Sequence, residues 1–166
     1  PVVIVEDHMA ANGIPKIAYA LAAFMAVNWL FFGFNITNMA LFMVKEKIGL
    51  PWMIGIAICF PGLASILSGI TFPEFYKKTK NYLVPISIAF FACGFVALYL
   101  THSFATQTIG NLLIGFGSGM LTPYILNLTS QKVGPTHRDA AYGLVTSGIH
   151  IGYLIGPFCS TCYINH

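Results

Sequence analysis

The sequence is poor in charge. Only 8% of its 166 residues are Asp, Glu, Lys or Arg, against about 25% in soluble domains. No basic tract alternates with aromatic residues, so a nucleic-acid-binding surface is set aside. No HExxH, GxSxG or Walker A pattern occurs, and no pair of carboxylates falls inside an apolar run, so nothing points to an enzyme. Cysteine is sparse too. Cys59, Cys93, Cys159 and Cys162 all lie in apolar runs. Cys159-Ser-Thr-Cys162 is formally a CxxC, but one such pair without a partner pair is a weak metal or redox signal, and ordinary buried thiols are expected. No metal and no cofactor is expected. The opening residue is Pro, and the first stretch lacks the basic start, short apolar run and cleavage site of a signal peptide. The chain reads as a piece of something longer.

What the sequence has is apolar length. Hydrophobic residues make up 57% and mean hydropathy is +0.76, which is membrane-protein composition. After a polar lead over residues 1–16 come five apolar spans, at about 17–44, 51–72, 82–101, 104–128 and 140–164. Every Lys, Arg, Asp and Glu lies outside them. Each span reaches the roughly 20 residues that cross about 30 Å of hydrocarbon as a helix. The first, at 28 residues, would be about 42 Å long, so it tilts or protrudes. Short connections make consecutive helices antiparallel neighbours. The expected fold is therefore all-α, a polytopic membrane protein with five transmembrane helices. The positive-inside rule sets its orientation. Lys16, Lys77, Lys78, Lys80, Lys132 and Arg138 fall on one side, and only Lys45 and Lys47 on the other. The N-terminus is then cytoplasmic.

Three spans carry polar or small residues in a helical register. In the first, Asn28 and Asn35 point within about 20° of each other, with Asn38 further on. A carboxamide in hydrocarbon needs a partner or water. Two readings stay open: a polar stripe lining a substrate cavity, or interhelical hydrogen-bond glue. The sequon Asn35-Ile-Thr37 lies inside a span and is discounted as a glycosylation site. In the fourth span Asn111, Ser118 and Thr122 share a face beside Gly115 and Gly119, and Pro123 ends or kinks the helix. That kink suits a helix that bends in a conformational cycle, or a static packing feature. In the fifth, Gly148, Gly152 and Gly156 form a small-residue stripe. Thr146, His150, Tyr153 and Pro157 lie on the opposite face. If the glycines pack on a neighbouring helix, His150 faces lipid or a cavity, and the cost of an imidazole in lipid favours the cavity or a partner helix. His150 is the only titratable His, Asp, Glu, Lys or Arg inside any span. It is either a proton-sensitive or substrate-contacting group or a neutral, hydrogen-bonded one.

Together these features resemble the major facilitator superfamily, and within it the second half of a twelve-helix, drug-efflux-type member. The stretch Phe32-Gly-Phe-Asn-Ile-Thr-Asn-Met-Ala-Leu-Phe-Met43 looks like the family's seventh helix. Ser68-Gly69-Ile-Thr-Phe-Pro73 with Tyr76-Lys-Lys-Thr-Lys-Asn81 looks like its basic inner loop, with Gly69 and the lysines kept and Glu74 a poorly registered stand-in for the usual acid. Gly115-x-Gly-x-Gly119-x3-Pro123 and Arg138-x2-Ala141-x-Gly143 are similar to its tenth and eleventh helices. Gly148-x3-Gly152-x3-Gly156-Pro157 is similar to the antiporter signature of the fifth helix but lacks the second glycine pair, so antiport is not read from it.

The resemblance implies half of a bundle built around a central cavity and working by alternating access. Residues 1–16 would end the central cytoplasmic loop, and residues 17–166 would be a partial C-terminal half-bundle. Its partners would be the lipid bilayer, the missing N-terminal half, a small organic solute and, if transport is proton-coupled, protons. The setting would be the plasma or inner membrane. Asn28, Asn35, Asn38, Asn111, Ser118, Thr122, His150 and Tyr153 are the cavity candidates. Gly115, Gly119, Pro123, Gly148, Gly152, Gly156 and Pro157 are the packing and hinge candidates. Glu74, Lys77, Lys78, Lys80 and Arg138 are the cytoplasmic gating candidates. The competing reading is a non-transporting membrane subunit that works through helix packing.

Overall fold

The structure is a computed structural model that describes residues 13–79, 82–100 and 103–164, with side chains through Cys159. Among the described residues there are five α-helices and no strand: α1 (Lys16–Lys45), α2 (Pro51–Thr79), α3 (Leu83–Leu100), α4 (Phe104–Lys132) and α5 (Arg138–Ile164). A single 3-10 turn, Pro135–His137, leads into α5. The first four helices are long and apolar enough to cross a membrane. The fifth is 27 residues long, but its three stripe glycines, His150, Thr146 and Ser147 dilute its hydropathy. The whole is an all-α, polytopic integral membrane protein.

Two helix ends differ from the sequence reading. The apolar second span was expected to stop near residue 72, yet α2 continues to Thr79. The extension carries Glu74, Lys77 and Lys78, whose charge marks where the helix leaves the hydrocarbon rather than where it ends. The Thr79 hydroxyl donates to the Phe75 carbonyl, and Tyr76 packs on Tyr124 of α4 with ring centroids 6.2 Å apart. Pro61 and Pro73 both sit inside α2, as prolines do in membrane helices where neighbours re-satisfy the freed carbonyls. Likewise α4 runs past Pro123 to Lys132. Pro123 has no N–H, so the Gly119 carbonyl loses its helix donor, but the helix continues.

At the start of α4 the Ser103 hydroxyl accepts from the Thr106 amide at 3.3 Å, an N-cap. The tight turn between α1 and α2 uses left-handed backbone at Lys47 (φ 54°) and Gly49 (φ 81°).

Packing divides the helices into two groups. α5 lies along α1, α4 holds α2 and α3 on two of its faces, and α1 meets α4 over a much shorter stretch. α4 is the central post, with more than half of its apolar window buried, against less than a third in α1, α2 and α3.

At one end of the bundle Ala18, Val133 and Ala141 form a buried cluster that joins α1, the end of α4 and α5. At the other, Met39, Met43, Ile48 and Ala57 join α1 to α2. Large apolar side chains such as Val27, Ile66, Ile70 and Phe158 are exposed on the outside, where a bilayer would solvate them. Cys59, Cys93 and Cys159 are also exposed rather than buried, so the expectation of buried thiols fails for these three. Each sits on a helix face turned away from the seams. Cys162 lies beyond the described side chains.

Candidate functional site

The glycines set how closely the helices approach. A Cβ built on Gly148 or Gly152 would run into the carbonyl oxygens of Ala22 and Ala26, and one on Gly156 would lie 2.6 Å from the Phe34 nitrogen. The α5 stripe is therefore a backbone-to-backbone seam with α1, the close packing that small residues allow in membranes. α4 uses two such faces. Gly115 and Gly119 abut Pro61 and Ser65 of α2, while a Cβ on Gly117 would meet the Ser87 carbonyl of α3 at 2.8 Å. Gly94 of α3 and Gly110 of α4 complete that second crossing. The sequence reading had not singled out Gly94, Gly110, Pro61 or Ser87. A seven-residue spacing from Gly110 to Gly117 was the available signal for the α3 face.

The polar candidates separate into three sets. The first is a chain of amides across the helices. Asn35 Nδ2 donates to Asn111 Oδ1 at 2.8 Å. Asn111 Nδ2 donates in turn to the Gln107 carbonyl at 2.8 Å and to the Met39 sulfur at 2.8 Å. Gln107 Nε2 donates to the Leu98 carbonyl of α3 at 3.2 Å. Asn35, Asn111 and Gln107 are all buried. Each donor has an acceptor, so this network ties α1 to α4 and α4 to α3 without an orphaned group.

The second set bonds back onto its own helix. Ser118 donates to the Gly115 carbonyl at 3.0 Å. Thr122 donates to the Ser118 carbonyl at 3.0 Å. Asn38 Nδ2 donates to the Phe34 carbonyl at 2.9 Å. Ser118 is buried, whereas Thr122, Asn38 and Pro123 are half-buried.

The third set lies on the surface of the bundle. With the glycines turned to α1, His150 and Thr146 are exposed on the far side of α5. Tyr153 is 44% exposed and meets Trp29 edge-on, centroids 6.1 Å apart. Pro157 is half-buried beside them. Past the charged first turn and the exposed Ser147, the other exposed strip of α5, with Ile151, Leu154 and Phe158, is apolar. α5 thus presents one polar and one apolar strip to its surroundings.

The remaining cavity candidate, Asn28, is placed apart from all of these. Its Oδ1 is buried and has no hydrogen-bond partner. It borders a pocket of about 150 Å³ between α1, α3 and α4.

The gating candidates gather at one end. Glu74, Lys77 and Lys78 are exposed in the last turns of α2, and Arg138 opens α5. The Arg138 guanidinium donates to the Ser130 carbonyl at 3.3 Å, which ties the start of α5 to the end of α4. Gln131 Nε2 reaches the Tyr76 hydroxyl at 3.4 Å and links the ends of α4 and α2. Lys80 lies outside the described residues, as do residues 1–12 of the polar lead. Among the described residues no three His, Cys, Asp or Glu cluster closely enough to hold a metal ion. What the arrangement offers is amide, hydroxyl and imidazole hydrogen bonding together with aromatic faces, the chemistry of binding.

Comparison with known proteins agrees with this picture. The chain is 28% identical over 119 residues to an uncharacterized MFS-type transporter of Methanocaldococcus jannaschii, an alignment covering 71% of this chain and 30% of that protein. It is 27% identical over 108 residues to the 3-(3-hydroxy-phenyl)propionate transporter of Escherichia coli K12, covering 65% of this chain and 26% of that one. The chain thus spans less than a third of the length of these curated relatives. No solved structure matches it. Residues 5–157 match the family described as Major Facilitator Superfamily, which is most of the chain, and the protein belongs to that superfamily of transporters.

Proposed function

We propose that this chain is the C-terminal half-bundle, about the seventh to eleventh helices, of a secondary active transporter that moves a small organic solute by alternating access. The observation that carries this reading is the polar strip of α5. Thr146, His150 and Tyr153 sit mid-helix on the surface of the bundle, while the glycine face is already sealed against α1. An imidazole held there against lipid is costly. A water-filled cavity shared with a second half-bundle removes that cost. Residues 1–16 would then end the central cytoplasmic loop. The N-terminus would be cytoplasmic, because the end holding Lys16, Lys77, Lys78, Lys132 and Arg138 is the basic one. A cell membrane, plasma or inner, is the natural setting. The aromatic carboxylate in the name of the Escherichia coli relative supports a small organic substrate for this chain too, and the drug-efflux resemblance supports export. If transport is coupled to protons, His150 is the group in this half that would take part.

Cysteine labelling in the full-length protein tests the reading. His150→Cys is expected to react with a membrane-impermeant maleimide and to be protected by substrate. No reaction in any state would sink the cavity assignment. Unchanged pH dependence of transport in His150→Gln would remove His150 from the coupling role while leaving transport itself standing. The second reading, a non-transporting subunit that works by helix packing, is favoured by one observation: Asn35 and Asn111 spend their polar groups on each other. It predicts that Asn35→Cys stays unreactive and that His150→Cys does as well.

A further inference from the structure

Most helix hydroxyls in this bundle turn back on their own helix. Ser68, Thr71, Thr108, Ser118, Thr122 and Thr129 all donate to carbonyls three or four residues back, the usual way to satisfy a hydroxyl in an apolar setting. Thr146, in the polar strip of α5, makes no such bond among the described residues. His150, one turn further on, has no hydrogen-bond partner among them either. Both residues are exposed, and so is Tyr153. Their polar groups are therefore open to whatever meets this face of α5.

The fold holds this face in place. Gly148, Gly152 and Gly156 lock the glycine side of α5 onto α1, and a Cβ on Gly33 of α1 would lie 2.8 Å from the Tyr153 carbonyl oxygen. The Tyr153 ring meets Trp29 edge-on. Trp29 packs in turn on Phe32, with ring centroids 5.0 Å apart. It is half-buried against the clusters that join α1 to α4, so the aromatic pair is anchored. Thr146 and His150 are four residues apart, a spacing that puts Cβ atoms about 5–6 Å from each other on a helix. A hydroxyl and an imidazole N–H at that separation reach the two oxygens of one carboxylate.

We propose that the polar strip of α5 binds an aromatic carboxylate, with its anionic end on Thr146 and His150 and its ring against Tyr153 and Trp29. This rests on the transporter reading of the strip and names the substrate class it takes. The charge argument is one-sided. Imidazole has an N–H to donate in either protonation state, and the only charge it takes is positive. Every Asp and Glu of the chain lies outside the apolar spans. The acid of α5, Asp139, sits in the charged first turn beside Arg138, about 16 Å along the helix from His150. This half of the bundle thus offers donors to a carboxylate and no acid to repel it. Hydrogen bonds to an ionised acceptor are also the stronger kind. An amphipathic cation would find ring faces here but no countercharge. A lipid acyl chain would leave the donors unmet.

The test measures equilibrium binding to the full-length protein in lipid nanodiscs by ¹⁹F NMR. The probes are 4-fluorobenzoate, its neutral analogue 4-fluorobenzamide and the cation 4-fluorobenzylammonium. Saturable binding of 4-fluorobenzoate is expected, with the amide weaker by about tenfold and the ammonium weaker still. His150→Leu is expected to erase the preference for benzoate over the amide. Thr146→Val, close in shape, is expected to reduce benzoate affinity about threefold. Tyr153→Leu is expected to weaken benzoate and amide alike and to keep the preference between them. All three side chains are exposed, so these changes leave the glycine seam intact. Equal binding of benzoate and amide would overturn the proposal. So would tighter binding of the ammonium, a preference that survives His150→Leu, or the absence of saturable benzoate binding. A His150→Cys protein that reacts with the impermeant maleimide yet lacks these preferences keeps the cavity and loses the carboxylate. An unreactive His150→Cys removes the cavity itself, and with it the transporter reading.

Discussion

The two seams made by α1 differ in kind. Against α5, α1 offers Ala22, Ala26 and Leu30 to a stripe of glycines, backbone against backbone over much of both helices. Against α4, it makes a shorter contact whose centre is one pair of amides, Asn35 and Asn111. The first seam is dry and steric, so its strength lies in the many weak contacts that close approach permits. The second sets that amide pair among apolar contacts, Met25 with Leu121 and Ile125 and Phe32 with Ile114, so its polar part is local and directional. α1 and α5 are thus packed to each other far more extensively than either is to α4. The amide pair is the polar point at which α1 and α4 are registered to each other.

The comparison breaks most directly at Gly152. A leucine there cannot fit against the Ala26 carbonyl, so Gly152→Leu forces α5 away from α1. The expected loss is about 3 kcal/mol, read as a lower midpoint when the protein is unfolded by SDS in mixed micelles. An unchanged midpoint would mean that the α5 seam is not the stable one. The next effect belongs to the polar seam. Asn111→Leu leaves the Asn35 amide without its acceptor in a buried site and should cost about 1 kcal/mol. Asn35→Leu in the same background should cost little more, because the partner is already gone. A double-mutant cycle measures this coupling. Fully additive losses would show that the two amides act independently.

Much of this contrast was legible in the sequence. The spans stood out because hydrocarbon excludes charge and the chain obeys that rule. The glycine stripe of α5 and the Gly115/Gly119 face of α4 followed from helical periodicity. His150 was placed opposite the glycines by the same arithmetic. Pairing was not legible. Asn35 and Asn111 are 76 residues apart in the chain, and periodicity gives a direction on each helix but not the neighbour it meets. The pocket beside Asn28 needs three helices to define it. The end of α2 was missed because its last turns leave the apolar region while remaining helical. Composition reports the environment there and not the backbone.

Ser118 sharpens the comparison from the small side. It lies on the same helix face as Asn111 and is as fully buried, so position alone predicts equal importance. The bonding predicts otherwise. Its hydroxyl bonds within α4, to the Gly115 carbonyl at 3.0 Å, and that carbonyl is also the regular helix acceptor for the Gly119 amide. Removing the hydroxyl strands no group on a neighbouring helix, and alanine is the better helix former. Ser118→Ala should therefore shift the unfolding free energy by less than about 0.5 kcal/mol, in the assay that registers Asn111→Leu. A loss as large as that of Asn111→Leu would place Ser118 among the residues that hold the helices in register. The seam between α1 and α4 would then be a continuous polar face and not a single amide clasp.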